Sequence, residues 1–397
     1  MNWVVVCVFA LMAYYSYYRT RRIIYPAVVV SVAWALLLFL YNVLDHGLYP
    51  LSDRFYFATL LWGVPFCLAS LICFRSKYVQ TQINYCPIST KRVNLLLNIL
   101  IIVNIYYLYR LYNFSSVGYY KEFLMLSSTG DLPFFFTAMN YVNQISLVLF
   151  AIICLKREAI NKNKIYLFGL IFFACCFLMS VKTILAQVIF IVIIINYYKG
   201  KFDWKKSVIA LAVFFALIVS VQVYRSYNNN DEFDLIQFLS VYALSPLPAF
   251  DLALNGKIDL EVGGTYRFFL TFVNKLFGLD FVIYSGGDRW VEVPVLTNVY
   301  TVMSAPFADF GYLGISVFAV IEGLFWGILY KKGIQQNKIR WKIFYAVYFY
   351  TLIFQFFADY IFTFFSVLLQ LFIIVYLMFY KQRIYENRHS NGYLQRC

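Results

Sequence analysis

Arginine is the most informative residue type in the long segment 225–308. Arg225, Arg267 and Arg289 lie there, in a segment whose five cations are outnumbered by nine acids. An anion would be repelled by the average charge, so it could bind only where arginines converge. The guanidinium group makes bidentate, charge-assisted bonds to phosphate and stays charged when partly desolvated. The pattern predicts a phosphate site, and the alternative is that each arginine pairs with a neighbouring acid.

Aromatic side chains in the same segment have the chemistry to bind sugars. Tyr266, Tyr284, Trp290 and Tyr300 are candidate platforms, because sugar rings present apolar C–H faces that pack on Tyr and Trp at a partly wet boundary. Aromatic residues make up 21% of the chain. The alternative is therefore that these rings face lipid or form a membrane-interface belt.

The segment that carries these residues is too long to be a simple connection. It separates two apolar helical stretches, and a connection of this length is either functional or disordered. Its many aromatic residues argue against disorder. The sequence predicts an ordered external loop, 225–308, between transmembrane regions 1–224 and 309–397.

Two helices are predicted within this loop. Asp234 is placed to cap a short helix that runs through Tyr242 and is ended by Pro246 and Pro248. A second helix fits residues 265–277, whose apolar side chains share one broad face. That pattern is typical of a helix lying in the membrane interface.

The composition of the whole chain excludes a soluble domain. Of its 397 residues, 62% are hydrophobic and 13% charged, against about a quarter charged in soluble domains. The apolar runs are about as long as a hydrocarbon core requires, and helix is the form that satisfies the backbone in lipid. An all-α membrane protein with eleven spans is predicted. The spans are 2–18, 23–44, 56–74, 93–113, 134–155, 165–181, 183–198, 207–224, 309–330, 343–358 and 361–380.

Positive charges predict the orientation of these spans. Alternate connections carry 24 of the 33 Lys and Arg residues, and the side richer in these residues is cytoplasmic. The N-terminus and the long loop are then outside, and the C-terminus is cytoplasmic. The net charge of +14 is spread over short separate connections, so it gives no indication of nucleic-acid binding.

Isolated polar residues carry less information. His46 and His389 fall on opposite sides and no Cys-x-x-Cys pair exists, so no metal site and no cofactor are predicted. The pair Asp259 and Glu261 could hold a divalent ion, but two acids match easily in an acid-rich loop. Glu322 lies within a predicted span beside Gly323 and Gly327, which indicates a packed helix seam where it could bond internally.

A motif at the end of the long loop carries a family resemblance. Residues 297–301 read TNVYT, and residues 304–314 read SAPFADFGYLG and lead directly into the next helix. This resembles the oligosaccharide repeat-unit polymerases, that is, O-antigen polymerases of the Wzy type. The resemblance implies transfer of a growing glycan from undecaprenyl pyrophosphate to a new lipid-linked repeat unit, at the outer face of a bacterial inner membrane.

The resemblance also suggests roles for individual residues. Asp309 matches the motif's Asp-Phe-Gly, which implies that it orients or deprotonates the acceptor hydroxyl, whereas its place at a helix N-terminus allows a purely structural role. Arg267 and Arg289 would stabilise the leaving pyrophosphate, with Arg225 in binding. Lys182, at the external end of a helical hairpin, either reaches lipid headgroups or helps to hold a lipid-linked phosphate.

The implied partners are the lipid-linked donor and acceptor, membrane lipids, a chain-length regulator and a flippase. The product would be lipopolysaccharide O-antigen, capsule or another surface polysaccharide. Three alternatives stay open. An O-antigen ligase would be expected to use a histidine in the external loop, a flippase or other transporter would have repeated halves and midplane charges, and a non-catalytic assembly partner fits the same sequence.

Overall fold

In the computed structural model, the protein is helical. It describes residues 1–75, 88–115, 134–156, 160–178, 182–205, 234–282 and 290–379, and the region 206–223 in part. Helices dominate these residues, because a chain this apolar must satisfy its backbone groups internally.

The elements described before the long loop are all helices. Those assigned in the described part of this region are α1 (Asn2–Thr20), α2 (Pro26–Val43), α3 (Asp53–Ile72), α4 (Thr90–Ser115), α5 (Phe134–Lys156), α6 (Lys162–Leu178) and α7 (Lys182–Tyr198). Each overlaps a predicted span. The predicted span 207–224 falls in the region that is described only in part.

Shorter elements make up the described part of the long loop. They are α8 (Leu235–Leu239), α9 (Pro246–Leu254), α10 (Arg267–Phe277) and an antiparallel hairpin of β1 (Val291–Glu292) with β2 (Leu296–Thr297). The predicted helix 265–277 is confirmed as α10. Asp234 accepts a hydrogen bond from the Ile236 amide at 2.8 Å, so the predicted cap at the start of α8 is also present.

The prediction that Pro246 and Pro248 end this helical region is wrong. A π-helical turn, Ser240–Leu244, follows α8, and Pro246 is the first residue of the next helix, α9. Proline is tolerated in the first turn of a helix because the amide it lacks has no partner there.

The last helices depart from the predicted spans 309–330 and 343–358. The helix α11 (Ser304–Tyr330) begins five residues earlier than predicted and is broken at Gly311. Span 343–358 is replaced by α12 (Ile339–Tyr348), α13 (Tyr350–Ile353) and a 3₁₀ turn, Phe354–Phe356. α14 (Phe365–Met378) lies within the predicted span 361–380.

Five helices of the described residues are long and apolar enough to cross a membrane. They are Pro26–Val43, Asp53–Ile72, Thr90–Asn113, Phe134–Leu155 and Ser304–Gln335. The chain is a multi-pass, all-α membrane protein, and the number eleven stays a prediction.

The chain divides into two compact units. The first comprises Met1–Val79, Val219–Gln336 and Tyr350–Leu368. In it α11 packs closely on α3: a Cβ on Gly323 would lie 2.3 Å from the Phe66 carbonyl oxygen, and one on Gly327 would lie 2.8 Å from the Ser70 carbonyl oxygen. The predicted glycine seam is therefore confirmed.

A buried polar cluster lies beside this seam. The Gln355 side-chain oxygen accepts hydrogen bonds from the indoles of Trp34 and Trp62 at 3.3 and 3.0 Å, and its amide nitrogen lies 3.5 Å from the Glu322 carboxylate. Glu322 is 2% exposed. The predicted internal bonding of this acid is confirmed, with Gln355 as its partner.

The second unit comprises Gln80–Ile218, Asn337–Phe349 and Leu369–Cys397. In its described part, α4 packs on α6, and α5 and α12 pack on α7. Lys342 of α12 is buried, with its ammonium group hydrogen-bonded to Asn337 and 5.7 Å from the centre of the Tyr198 ring.

Candidate functional site

A pocket of about 320 Å³ lies within the first unit. Three stretches of chain form it: residues 260–261 of the long loop, residues 298–308 across the start of α11, and residues 357–364 before α14. The lining consists of Leu260, Glu261, Asn298, Val299, Tyr300, Ser304, Ala305, Ala308, Phe357, Ala358, Asp359, Thr363 and Phe364.

The motif that carried the family resemblance forms one wall of this pocket. Six of the lining residues lie in 298–308, from the second residue of TNVYT to Ala308. Two glycines shape the chain just behind that wall. Gly311 has φ 62° and ψ −152°, a conformation essentially restricted to glycine. A Cβ on Gly314 would lie 2.1 Å from the Pro306 carbonyl oxygen, so only glycine lets the chain fold back on itself there.

Asp309 joins the motif to the long loop. Its carboxylate accepts hydrogen bonds from the backbone amides of Gly263 and Thr265 and from the Thr265 hydroxyl. The loop approaches closely here, since a Cβ on Gly264 would lie 2.8 Å from the Ala305 Cβ. These bonds hold residues 260–261 against the motif wall.

Asp359 organises the third wall in a similar way. It is 4% exposed, and it accepts hydrogen bonds from the amides of Ile361, Phe362 and Thr363 at 2.9 to 3.0 Å and from the Thr363 hydroxyl at 3.1 Å. Burial raises the pKa of this carboxyl, while the four hydrogen bonds act in the opposite direction. The bonds fold residues 359–363 into a tight turn that leads into α14.

A backbone hydrogen bond connects the second and third walls. The Val302 amide donates to the Gln355 carbonyl oxygen at 2.8 Å. Because the Gln355 side chain is held by Trp34 and Trp62, this bond ties the pocket to the buried polar cluster of the same unit. Hydrogen bonds therefore hold all three walls in place.

The aromatic residues predicted to bind sugar differ in their position relative to the pocket. Tyr300 lines the pocket and is 2% exposed. Tyr266 does not line the pocket. Its ring lies 6.3 Å from the Phe310 ring, and desolvation, followed by the nearby Asp309 carboxylate, raises the pKa of its hydroxyl. Trp290 is 64% exposed next to the hairpin and does not line the pocket.

The predicted cations are only partly described. Arg267 is half-buried at the start of α10 and does not line the pocket. Arg225, Arg289 and the aromatic Tyr284 lie outside the described residues, and the side chain of Lys182 is likewise outside them. Their roles stay predictions.

Sequence reasoning missed two pocket residues and undervalued a third. Asp359 lies in the short connection between the predicted spans 343–358 and 361–380, and Thr363 lies within the second of these spans. No motif surrounds them, although an acid between two apolar runs was a usable signal. Glu261 was weighed only as half of a metal-binding pair with Asp259. Within the described ranges, no three His, Cys, Asp or Glu side chains form a group able to hold a metal ion.

Comparison with known proteins supports the family resemblance. A curated protein of Escherichia coli (strain K12) named "Putative O-antigen polymerase" is 26% identical over 372 residues, covering 90% of this chain and 92% of that protein. The chain resembles an O-antigen polymerase along nearly its whole length. The resemblance indicated by a few motif residues is thereby confirmed on a much larger part of the chain. No family model and no solved structure matches it.

Proposed function

We propose that this protein is a polymerase of surface polysaccharide repeat units. The observation that carries the proposal is the similarity to a putative O-antigen polymerase along nearly the whole chain. The segment whose motif resembles that family also forms a wall of the pocket. The substrates would be two glycans on undecaprenyl pyrophosphate carriers, and O-antigen, capsule and related polysaccharides are all suitable products.

The proposed reaction is a glycosyl transfer. A hydroxyl oxygen of the acceptor sugar attacks the anomeric carbon of the donor glycan and forms the new glycosidic bond. The bond from that carbon to the pyrophosphate oxygen breaks, and the electron pair leaves with the lipid pyrophosphate. The proton of the hydroxyl passes to a carboxylate, for which Asp309 is the predicted group.

Pyrophosphate is a good leaving group, so the protein needs cations that stabilise its developing charge. Arg225, Arg267 and Arg289 are proposed for this task, with Lys182 as a further phosphate contact. Metal-independent catalysis is expected from the same logic. Tyr266, Tyr284, Trp290 and Tyr300 are proposed to contact the glycan.

The proposed location is the bacterial inner membrane, with the N-terminus and the long loop outside and the C-terminus in the cytoplasm. The distribution of Lys and Arg supports this orientation. A reporter fused after Cys397 should be active in the cytoplasm, and periplasmic activity would reverse the assignment.

Deleting the gene and separating the surface glycan on a gel tests the function. A polymerase deletion should leave glycans of a single repeat, and restoring the gene should restore the ladder. Complete loss of the glycan would instead favour a ligase or a flippase, and an unchanged ladder would contradict all three functions.

A further inference from the structure

The lining of the pocket restricts the ligand that it can take. Glu261 and Asp359 contribute carboxyl groups, and Asn298, Ser304 and Thr363 contribute an amide and two hydroxyls. The remaining walls include the aromatic rings of Tyr300, Phe357 and Phe364. Among the described residues that line the pocket, none is Lys, Arg or His.

This chemistry suits an uncharged sugar. Sugar hydroxyls can donate to carboxylates and amides, and the apolar C–H face of a ring can pack on aromatic side chains. A pyrophosphate is a poor fit, since the described lining residues would present it with two carboxyl groups and none of the cations that normally bind it. The volume of about 320 Å³ is at the lower end of ligand sites, which hold roughly 300 to 1,000 Å³, so the pocket accommodates a terminal sugar rather than a lipid-linked glycan.

The two substrates of a polymerase differ at the sugar that reacts. The reacting sugar of the donor carries pyrophosphate on its anomeric carbon, so a pocket that binds it must also accept that anion or lie directly beside it. The reacting sugar of the acceptor is the non-reducing end, which is remote from its own pyrophosphate. A lining that suits an uncharged sugar therefore favours the reacting sugar of the acceptor over that of the donor.

We propose that this pocket binds the non-reducing terminal sugar of the acceptor glycan, as an uncharged ring with free hydroxyls. The proposal rests on the polymerase function proposed above. Binding there places the sugar beside Leu260 and Glu261, close in sequence to the Gly263 and Thr265 amides that Asp309 binds. The Val302–Gln355 bond and the Asp359 turn hold the walls of the site together.

Protection of an engineered cysteine tests this assignment directly. Ala308→Cys places a thiol on the pocket wall with a small change in volume, and Lys257→Cys places one on an exposed loop position outside the lining. The purified full-length variants are labelled with a maleimide, and labelling of the wild-type chain is subtracted as the blank. The probes are the repeat-unit oligosaccharide, released from its carrier by mild acid, and inorganic pyrophosphate.

The oligosaccharide should slow labelling at position 308, by about tenfold at ten times its dissociation constant, since the free fraction of sites falls in that proportion. Inorganic pyrophosphate at the same concentration should leave the rate unchanged, and neither probe should affect position 257. Protection by pyrophosphate, alone or together with the oligosaccharide, would overturn the proposal. Absence of protection by the oligosaccharide would also overturn it.

The control for the underlying function is separate. The wild-type protein is given the same lipid-linked repeat unit and its products are sized. Longer glycans without protection at position 308 would remove the pocket assignment and leave the polymerase function intact. Failure to lengthen the glycan would remove the function, and the pocket assignment with it.

Discussion

The pocket and the surface of α10 belong to the same unit but have opposite character. The pocket is lined by carboxyl groups, hydroxyls and aromatic rings, on walls that hydrogen bonds hold together. Every residue of α10 is at least partly exposed. Its Phe269, Phe272 and Leu276 are each more than half exposed, and Arg267 and Lys275 lie near its two ends.

The difference suggests that the two regions bind different parts of the substrates. An amphipathic helix with cations fits a lipid surface and its phosphates. The described residues that line the pocket include no cation, which fits an uncharged sugar. The helix is attached to the rest of the unit through Phe268 and Phe269, whose rings lie 5.2 and 5.7 Å from the Phe365 ring. The following variants change one region while leaving the other intact.

The largest effect is expected on the pocket side, from Gly314→Ala. The new methyl group would lie 2.1 Å from the backbone oxygen of Pro306, and overpacking of this kind costs about 1–3 kcal/mol or more. We expect the folded yield in detergent to fall and the glycan ladder to disappear. Gly169→Ala in α6 is the matched control, because its Cβ would meet open space. Equal behaviour of the two variants would contradict the packing described here.

On the α10 side, Arg267→Lys keeps the charge and removes the planar fork. If the arginine stabilises the leaving pyrophosphate, polymerisation should fall by about an order of magnitude or more while the protein still folds, since one lost bond to developing charge costs a few kcal/mol. Arg225→Lys and Arg289→Lys should behave alike. Sizing the glycan on a gel measures this.

Arg340→Lys is the control for these substitutions, because Arg340 binds the Phe379 carbonyl oxygen in the second unit and is predicted to be cytoplasmic. Chain lengths equal to wild type in all three loop variants would remove the arginines from the mechanism.

An intermediate effect on stability is expected from Asp309→Asn. Asp309 lies between the pocket wall and the loop segment that precedes α10. The amide can replace only part of a carboxylate that accepts three hydrogen bonds, so we expect a stability loss of about 1–3 kcal/mol. Residues 260–265 should loosen, and trypsin should cleave faster after the exposed Lys257. Asp280→Asn, at an exposed acid of the same loop, is the control. If Asp309 is also the base proposed above, polymerisation should be lost, because an amide cannot take the proton of the acceptor hydroxyl. Wild-type polymerisation would return Asp309 to a structural role.

The smallest effect is expected from Trp290→Leu. Trp290 is 64% exposed and outside the pocket lining, so a stacking contact with the glycan is worth about 0.5–1.5 kcal/mol. That corresponds to a roughly two- to tenfold loss of activity. Trp204→Leu is the matched control, with a tryptophan 69% exposed in the second unit. Identical effects of the two substitutions would argue against a glycan contact at Trp290.

The sequence predicted those features that depend on local patterns. The amphipathic periodicity of 265–277 located α10 to within two residues, and the glycines beside Glu322 indicated a packed seam on α11. The motif at 297–314 marked the segment that forms a pocket wall. In each case neighbouring residues carry the signal, so the pattern is visible without knowledge of the fold.

Features that depend on long-range contacts could not be predicted. Gln355 bonds to Trp34 and Trp62, roughly three hundred residues earlier in the chain. The three hydrogen bonds to Asp309 come from residues 263–265, which a cap or a catalytic acid would not require. Pro246 was misjudged for a related reason, since whether a proline ends or begins a helix depends on where the preceding turn closes.

The polymerase function proposed above requires that this chain lengthens lipid-linked glycans. The most direct measurement is to reconstitute the purified protein in liposomes that contain only the lipid-linked repeat unit, and to size the released glycans over time. The account predicts a ladder that grows from one repeat to many, without added metal or nucleotide. Glycans that remain at a single repeat in liposomes with correctly folded protein would contradict it.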